Sequence, residues 1–167
     1  MQKTHGIKID KRKIAVLSII AAVLLVMAIY FFPRPIESAF DSPVDENCVI
    51  HISQKKFTSA SKGPLDPERY LVECTPENGL NEKLLEILSN EKIINSPKNL
   101  LPWKIKRYSG NIWFDIAIAR PDNTAEWIYI GDNELFFSKD EMKFYYIDRS
   151  LGNALDEFVS EYGTKTE

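Results

Sequence analysis

IWFDIAIARPDNTAEWIYIGDNELFFS, residues 112–138, is the stretch that decides the fold. In its first eight residues Ile112, Phe114, Ile116 and Ile118 alternate with Trp113, Asp115 and Ala117. That period of two puts one set on each face of a strand. Arg120-Pro121-Asp122-Asn123 is a turn by composition, because proline presets one torsion while Asp and Asn bond their own backbone. EWIYI (126–130) resumes a strand, Gly131-Asp132-Asn133 interrupts, and ELFFS (134–138) resumes again. Lys139-Asp140-Glu141 makes a further turn before MKFYYID (142–148), and WKIKRY (103–108) with Ser109-Gly110-Asn111 precedes the whole run. Turns at such regular spacing between short strands predict an antiparallel meander.

Two earlier segments extend the sheet. CVIHIS (48–53) and RYLVEC (69–74) are rich in β-branched and aromatic residues. Set antiparallel with Cys48 opposite Cys74, they bring Ile50 opposite Val72 and Ile52 opposite Tyr70, with all six side chains on one face. That register predicts a Cys48–Cys74 disulfide. Such a bond persists outside the cytoplasm and stabilises by about 3 kcal/mol through the unfolded chain's lost freedom. Between the strands runs QKKFTSASKGPLDPE (54–68), long and rich in turn residues, where Lys55, Lys56 and Lys62 form a locally basic patch.

Helical spacing appears twice. Leu80, Leu84, Ile87 and Leu88, with Leu85 beside them, predict an amphipathic helix capped by Asn78 or Asn81, and Pro97 and Pro102 bar its continuation. A second helix is predicted over roughly 151–162, with Asp148 or Ser150 as cap and Gly163 at its end. Leu151, Leu155, Phe158, Val159 and Tyr162 form its apolar stripe. The expected class is α+β: an N-terminal transmembrane helix, then a two-layer domain with an antiparallel sheet of about five to six strands and two amphipathic helices on one face.

The transmembrane segment is IAVLSIIAAVLLVMAIYFF (14–32), without a single charge. As a helix it spans roughly 28 Å, close to the hydrocarbon thickness of a bilayer. It exceeds the roughly 7–15 apolar residues of a cleavable signal, and Glu37-Ser38-Ala39 is a poor cleavage triplet. The segment is therefore expected to stay as a signal-anchor. Lys3, Lys8, Lys11, Arg12 and Lys13 precede it and Arg34 alone follows closely, a bias that keeps the amino terminus in the cytoplasm. The chain then divides into a basic cytoplasmic tail (1–13), the anchor (14–32), a Pro-rich linker (33–47) read as a tether, an extracytoplasmic domain (48–163) and a tail (164–167).

Charge divides along the same line. With the whole chain at −3 and the basic tail at +4, residues 33–167 carry −7. An acidic domain of this kind is unsuited to nucleic acid, whose phosphates demand a basic face. No nucleophile elbow, HExxH or phosphate-cradling glycine loop occurs, and His51 is the single histidine beyond the anchor. Two cysteines and one histidine are too few for a zinc site, and no cofactor is implied. Catalytic residues are accordingly expected to be none, and metal ligands none.

What remains is an aromatic excess in the meander. One face of the sheet keeps Trp113, and either Trp127 with Tyr129 or Ile128 with Ile130, beyond the reach of two short helices; of these, the aromatic residues Trp113, Trp127 and Tyr129 are of the kind that binds proteins well. These three, with Lys55, Lys56 and Lys62, are the candidate partner-contact residues. The leading expectation is a non-catalytic, single-pass interaction domain: a subunit of an envelope complex, or an immunity- or inhibitor-type protein. Its partners are then a protein of the envelope or membrane and the bilayer around residues 14–32. The alternative is a small ligand-binding sensor or envelope hydrolase using Asp115, Asp132 and Glu134. The overall plan is one that bacterial envelope proteins use, an architectural analogy from which no function follows.

Overall fold

The computed structural model describes residues 11–57, 67–101, 111–131, 133–137 and 143–166, and the chain separates into two units, Met1–Phe32 and Pro33–Glu167. In the first, α1 (Lys11–Tyr30) is a 20-residue helix. Val16, Leu17, Ile19, Ile20 and Val23, which helical geometry distributes around the axis, are all exposed. A helix that is apolar all round and buries none of its residues is suited to lipid rather than water. Among the described residues α1 is the one helix long and apolar enough to cross a bilayer.

The second unit is built on one antiparallel sheet of nine strands, ordered β1-β4-β8-β7-β6-β5-β2-β3-β9. Its strands are β1 (Arg34–Pro35), β2 (Val49–Lys56), β3 (Glu68–Cys74), β4 (Lys92–Asn95), β5 (Ile112–Ala119), β6 (Ala125–Ile130), β7 (Glu134–Phe137), β8 (Lys143–Tyr146) and β9 (Thr164–Thr166). The meander read from the sequence is β5-β6-β7-β8, and β2 joins it by pairing with β5 along all eight of its residues. The expected strand at 103–108, the turn at 139–141 and the central loop residues 58–66 lie outside the described residues. Strand number exceeds the expected five to six because β1, β4 and β9, two to four residues each, are too short to display alternation.

The register of β2 on β3 corrects the sequence expectation. Ile50, not Cys48, faces Cys74, and the ladder continues through Ile52↔Val72 to Lys56↔Glu68. Both cysteines are free thiols buried in the core. Cys48 lies two residues beyond the partner of Cys74, a diagonal of roughly 7–8 Å, past the span a disulfide bridges. A two-residue slip preserves parity, so the hydrophobic pattern accepts both registers equally.

Two helices cover one face. α2 (Leu80–Ser89) buries Leu84 and Leu88, and α3 (Arg149–Tyr162) buries Leu151, Leu155, Phe158 and Val159. With α1 there are three α-helices among the described residues, to which two single 3-10 turns, Ile36–Ala39 and Pro97–Leu100, are added. Asp148 caps α3 by accepting from the Ser150 N–H at 3.0 Å. Asn78 serves the start of α2, accepting from the Leu80 N–H, with Gly79 in the left-handed region at φ 68°. Asn81, the other cap candidate, is instead buried and donates to the carbonyls of Glu46 and Cys48. Gly163 ends α3 because a Cβ there would collide with the Val159 carbonyl.

Under the helices lie Ile50 and Ile52 from β2, Val72 and Cys74 from β3, Phe114, Ile116 and Ile118 from β5, and Ile128 and Ile130 from β6. Full burial of such side chains contributes about 1.5–3 kcal/mol each. Residues 33–47 belong to this folded unit rather than standing off as a tether. Ile36 is wholly buried, Phe40 meets Phe137 edge-on at 5.6 Å, and Val44 packs on the core. Arg120 fastens the same stretch, donating to the Ser42 carbonyl at 3.0 Å and to Glu126 at 2.6 Å.

Candidate functional site

The face of the sheet turned away from α2 and α3 carries the alternate residues of each strand. Across the middle row, register places Leu71, Ser53, Asp115, Tyr129, Phe136 and Phe144 side by side, from β3 to β8. The neighbouring row is Glu73, His51, Ala117 and Trp127. This face divides into two halves with different chemistry.

On the β7–β8 half the rings close on one another. Tyr129 stacks on Phe136 at 4.8 Å, and Phe136 meets Phe144 at 5.5 Å. Lys98 roofs them, its Nζ 2.6 Å from Glu134 and 5.7 Å from the Phe144 centroid. The 3-10 turn holding Lys98 is pinned by Asn99, which donates to the Phe144 carbonyl and accepts from the Phe144 N–H. Phe136 and Phe144 are consequently buried although they point away from the helices.

The β3–β2–β5–β6 half stays open. Trp127 is 48% exposed, and its neighbour on β5 is Ala117, whose single methyl leaves that flank of the indole bare. His51 lies on the other side of Ala117, so the three form a shallow trough with the small residue at its floor. Leu71 and Tyr146, at 48% and 40% exposure, are the other large side chains left open on this face. Trp113 is half-buried and packs on Phe57 at 4.7 Å.

Two of the charge pairs on this face are neutralised locally, whereas Arg69 and Glu73 on β3 are exposed. Lys55 Nζ and Asp115 Oδ2 are 2.5 Å apart at its centre, just as Lys98 pairs Glu134. Surface pairs of this kind add at most about 1 kcal/mol to stability. Their larger effect is to neutralise Asp115, the carboxylate on β5 closest in register to the indole.

The structure therefore brings Trp113, Trp127, Tyr129 and Lys55 to one face, with Trp127 the exposed member. Lys56 is separated from them: β2 runs on through residue 56, and alternation turns Lys56 to the helix side, where its Nζ lies 2.5 Å from Asp156 Oδ1. Lys62 and Asp132 lie outside the described residues. Asp115 and Glu134 sit two strands apart, each engaged by its own lysine, and the two are not gathered into one acidic pocket. Among the described residues no three His, Cys, Asp or Glu side chains converge as metal ligands would. Leu71 and Tyr146 were missed as contact candidates; the signal available was parity, since each alternates with a core residue on its own strand, Val72 and Tyr145.

The two thiols belong to the opposite, helix-covered side. Burial pushes the Cys74 thiol up to about 12, and burial likewise raises Cys48, which lies 3.6 Å from Asp45 Oδ1. Thiols held protonated in this way are poor nucleophiles. No protein family model, curated protein or solved structure matches the chain.

Proposed function

We propose that this chain is a single-pass membrane protein whose folded unit lies outside the cytoplasm and binds a protein partner through the open half of the sheet. It does so without catalysing a reaction. The observation that carries the reading is Trp127: a large, half-exposed aromatic over an alanine floor, in a plane whose central charges are already paired. Tryptophan in a desolvatable centre is the residue type that dominates protein–protein affinity, and a partner covering its surroundings meets Asp115 already paired with Lys55. Leu71 and His51 supply the rim on the same half of the sheet. The acidic balance of residues 33–167 favours a partner with a basic periphery.

The proposed topology is supported by the five basic residues ahead of the apolar run at 14–32 and the single arginine just after it. The acid-based alternative draws no support from Asp115 and Glu134, since each carboxylate is occupied by a lysine on its own part of the sheet.

Capture after crosslinking in native membranes tests the reading, using the full chain beside Trp127→Ala. The expected result is one recurrent partner with the natural chain and roughly tenfold less with the variant, at equal expression. Capture that ignores the substitution would overturn the assignment of the face. Protease added from outside is expected to degrade residues 33–167 and spare the amino-terminal tail.

A further inference from the structure

On the helix side, away from the open face, a cleft of about 220 Å³ lies between the start of β5, the β6–β7 turn and the first turns of α3. Ile112 and Phe114 give it an apolar wall, and Gly131, Arg149, Gly152 and Asn153 complete it. Two features of this cleft bear on what it could hold. Gly152 sits within a helix, where glycine is the poorest former after proline, yet a Cβ placed there meets nothing within 4 Å. Nothing among the described residues therefore requires the missing side chain. Its absence enlarges the cleft.

The second feature is Arg149. Lys55, Lys56, Lys98, Arg120 and Lys165 each hold an acid. The Arg149 guanidinium is fixed only through its Nε, which donates to Asn133 Oδ1 at 3.1 Å. Its side chain is exposed, and its two terminal nitrogens have no protein partner among the described residues, in a domain whose net charge supplies an excess of carboxylates. Asn133 also accepts at its carbonyl from the Ile147 N–H, so the residue orienting Arg149 is itself tied to the start of α3.

We infer that this cleft binds a small monocarboxylate carrying an apolar group. A guanidinium anchored at Nε presents its other two nitrogens as a fork, which matches the two oxygens of a carboxylate. The Asn153 amide stands beside it to bond a polar substituent, and Ile112 and Phe114 receive the apolar part. A carboxylate fits better than a phosphate, since one cation in an acidic domain balances a monoanion and not a dianion. The volume is below that of drug-sized sites, so the ligand is a small acid or the last residue of a peptide. Either source offers the same chemistry.

The full chain in detergent micelles, labelled with ¹⁵N, tests this with benzoate, N-acetyl-leucine, N-acetyl-leucinamide, and the tripeptide Ala-Ala-Leu with its terminus free or amidated. Saturable shifts at the Gly131 and Gly152 amides are expected with free carboxylates and not with the amides. Benzoate and N-acetyl-leucine binding as well as the tripeptide marks a free acid as the natural source, and tighter binding of the tripeptide marks a peptide end. Gly152→Leu fills the cleft and Arg149→Gln removes the fork, so each is expected to weaken binding roughly tenfold. Gly152→Leu also restores helix propensity, so its thermal midpoint should rise, which separates a filled cleft from a damaged fold. Absence of saturable shifts, equal binding of the amides, or binding indifferent to both substitutions would overturn the inference. Since Trp127 takes no part in this cleft, none of these outcomes bears on the partner face.

Discussion

On the helix side of β5, Phe114, Ile116 and Ile118 are at most 2% exposed, while on the other side of the same strand Trp113, Asp115 and Ala117 remain partly open. The two faces also treat charge differently. Arg120 and Glu126, on the helix side and 7% and 6% exposed, form a buried pair that ties down Ser42 and Pro43 as well. Lys55 and Asp115, 29% and 19% exposed, form a pair that water still reaches. One face is organised for stability, with its buried ion pair fastened to neighbouring backbone. The other is left with aromatic area that no element of the described fold covers.

The comparison is broken most severely at the buried pair. Arg120→Met leaves Glu126 buried without its cation and frees the 42–43 stretch, which should cost about 3–5 kcal/mol in chemical denaturation. Adding Glu126→Leu should recover a large part, because the uncompensated charge is then gone. Ile116→Ala, which opens a cavity under the helices, should cost about 3 kcal/mol by the same measurement. A third test reads burial through pH. Cys74 ordinarily titrates at 9.0 and is raised to about 12 in the fold, so the unfolded chain loses its proton first. Its contribution to stability is therefore complete below pH 9 and declines as pH rises toward about 12, and Cys74→Ser should flatten that decline. Both thiols should resist labelling at neutral pH until denaturant is added. At the small end, Lys55→Met on the open face should change stability by less than about 1 kcal/mol.

The same contrast explains what the sequence could reveal. Where an element is long enough to repeat its period, as in Ile112–Ala119 or Arg149–Tyr162, type, position and buried face were all legible. For β6 the pattern left open whether Ile128 and Ile130 or Trp127 and Tyr129 face the helices; packing chose the isoleucines, whose branched side chains fit the tight helix–sheet interface. The β2–β3 register was not legible, because parity is blind to a two-residue slip and the cysteine pairing pointed to the wrong alternative. Proline and acids made residues 33–47 look like a tether. Ile36, Phe40 and Val44, spaced by four, were the countersignal, and they anchor the stretch to the core. Of the candidate site, Trp113, Trp127, Tyr129 and Lys55 were brought to one face as alternation requires, whereas Lys56 was lost to the opposite face once β2 proved longer than its apolar stretch. The glycine at 152 was unreadable in sequence, since only the fold shows that its Cβ would have had room.

The open face as a partner surface is the central claim, and position-specific photocrosslinking in native membranes tests it most directly. A photoreactive residue replaces Trp127 in one protein and, as a control, Glu86 on the exposed side of α2 in another. The account predicts a single recurrent adduct from position 127 and none of that mass from position 86. Adducts of the same mass from both positions, or from position 86 alone, would contradict it.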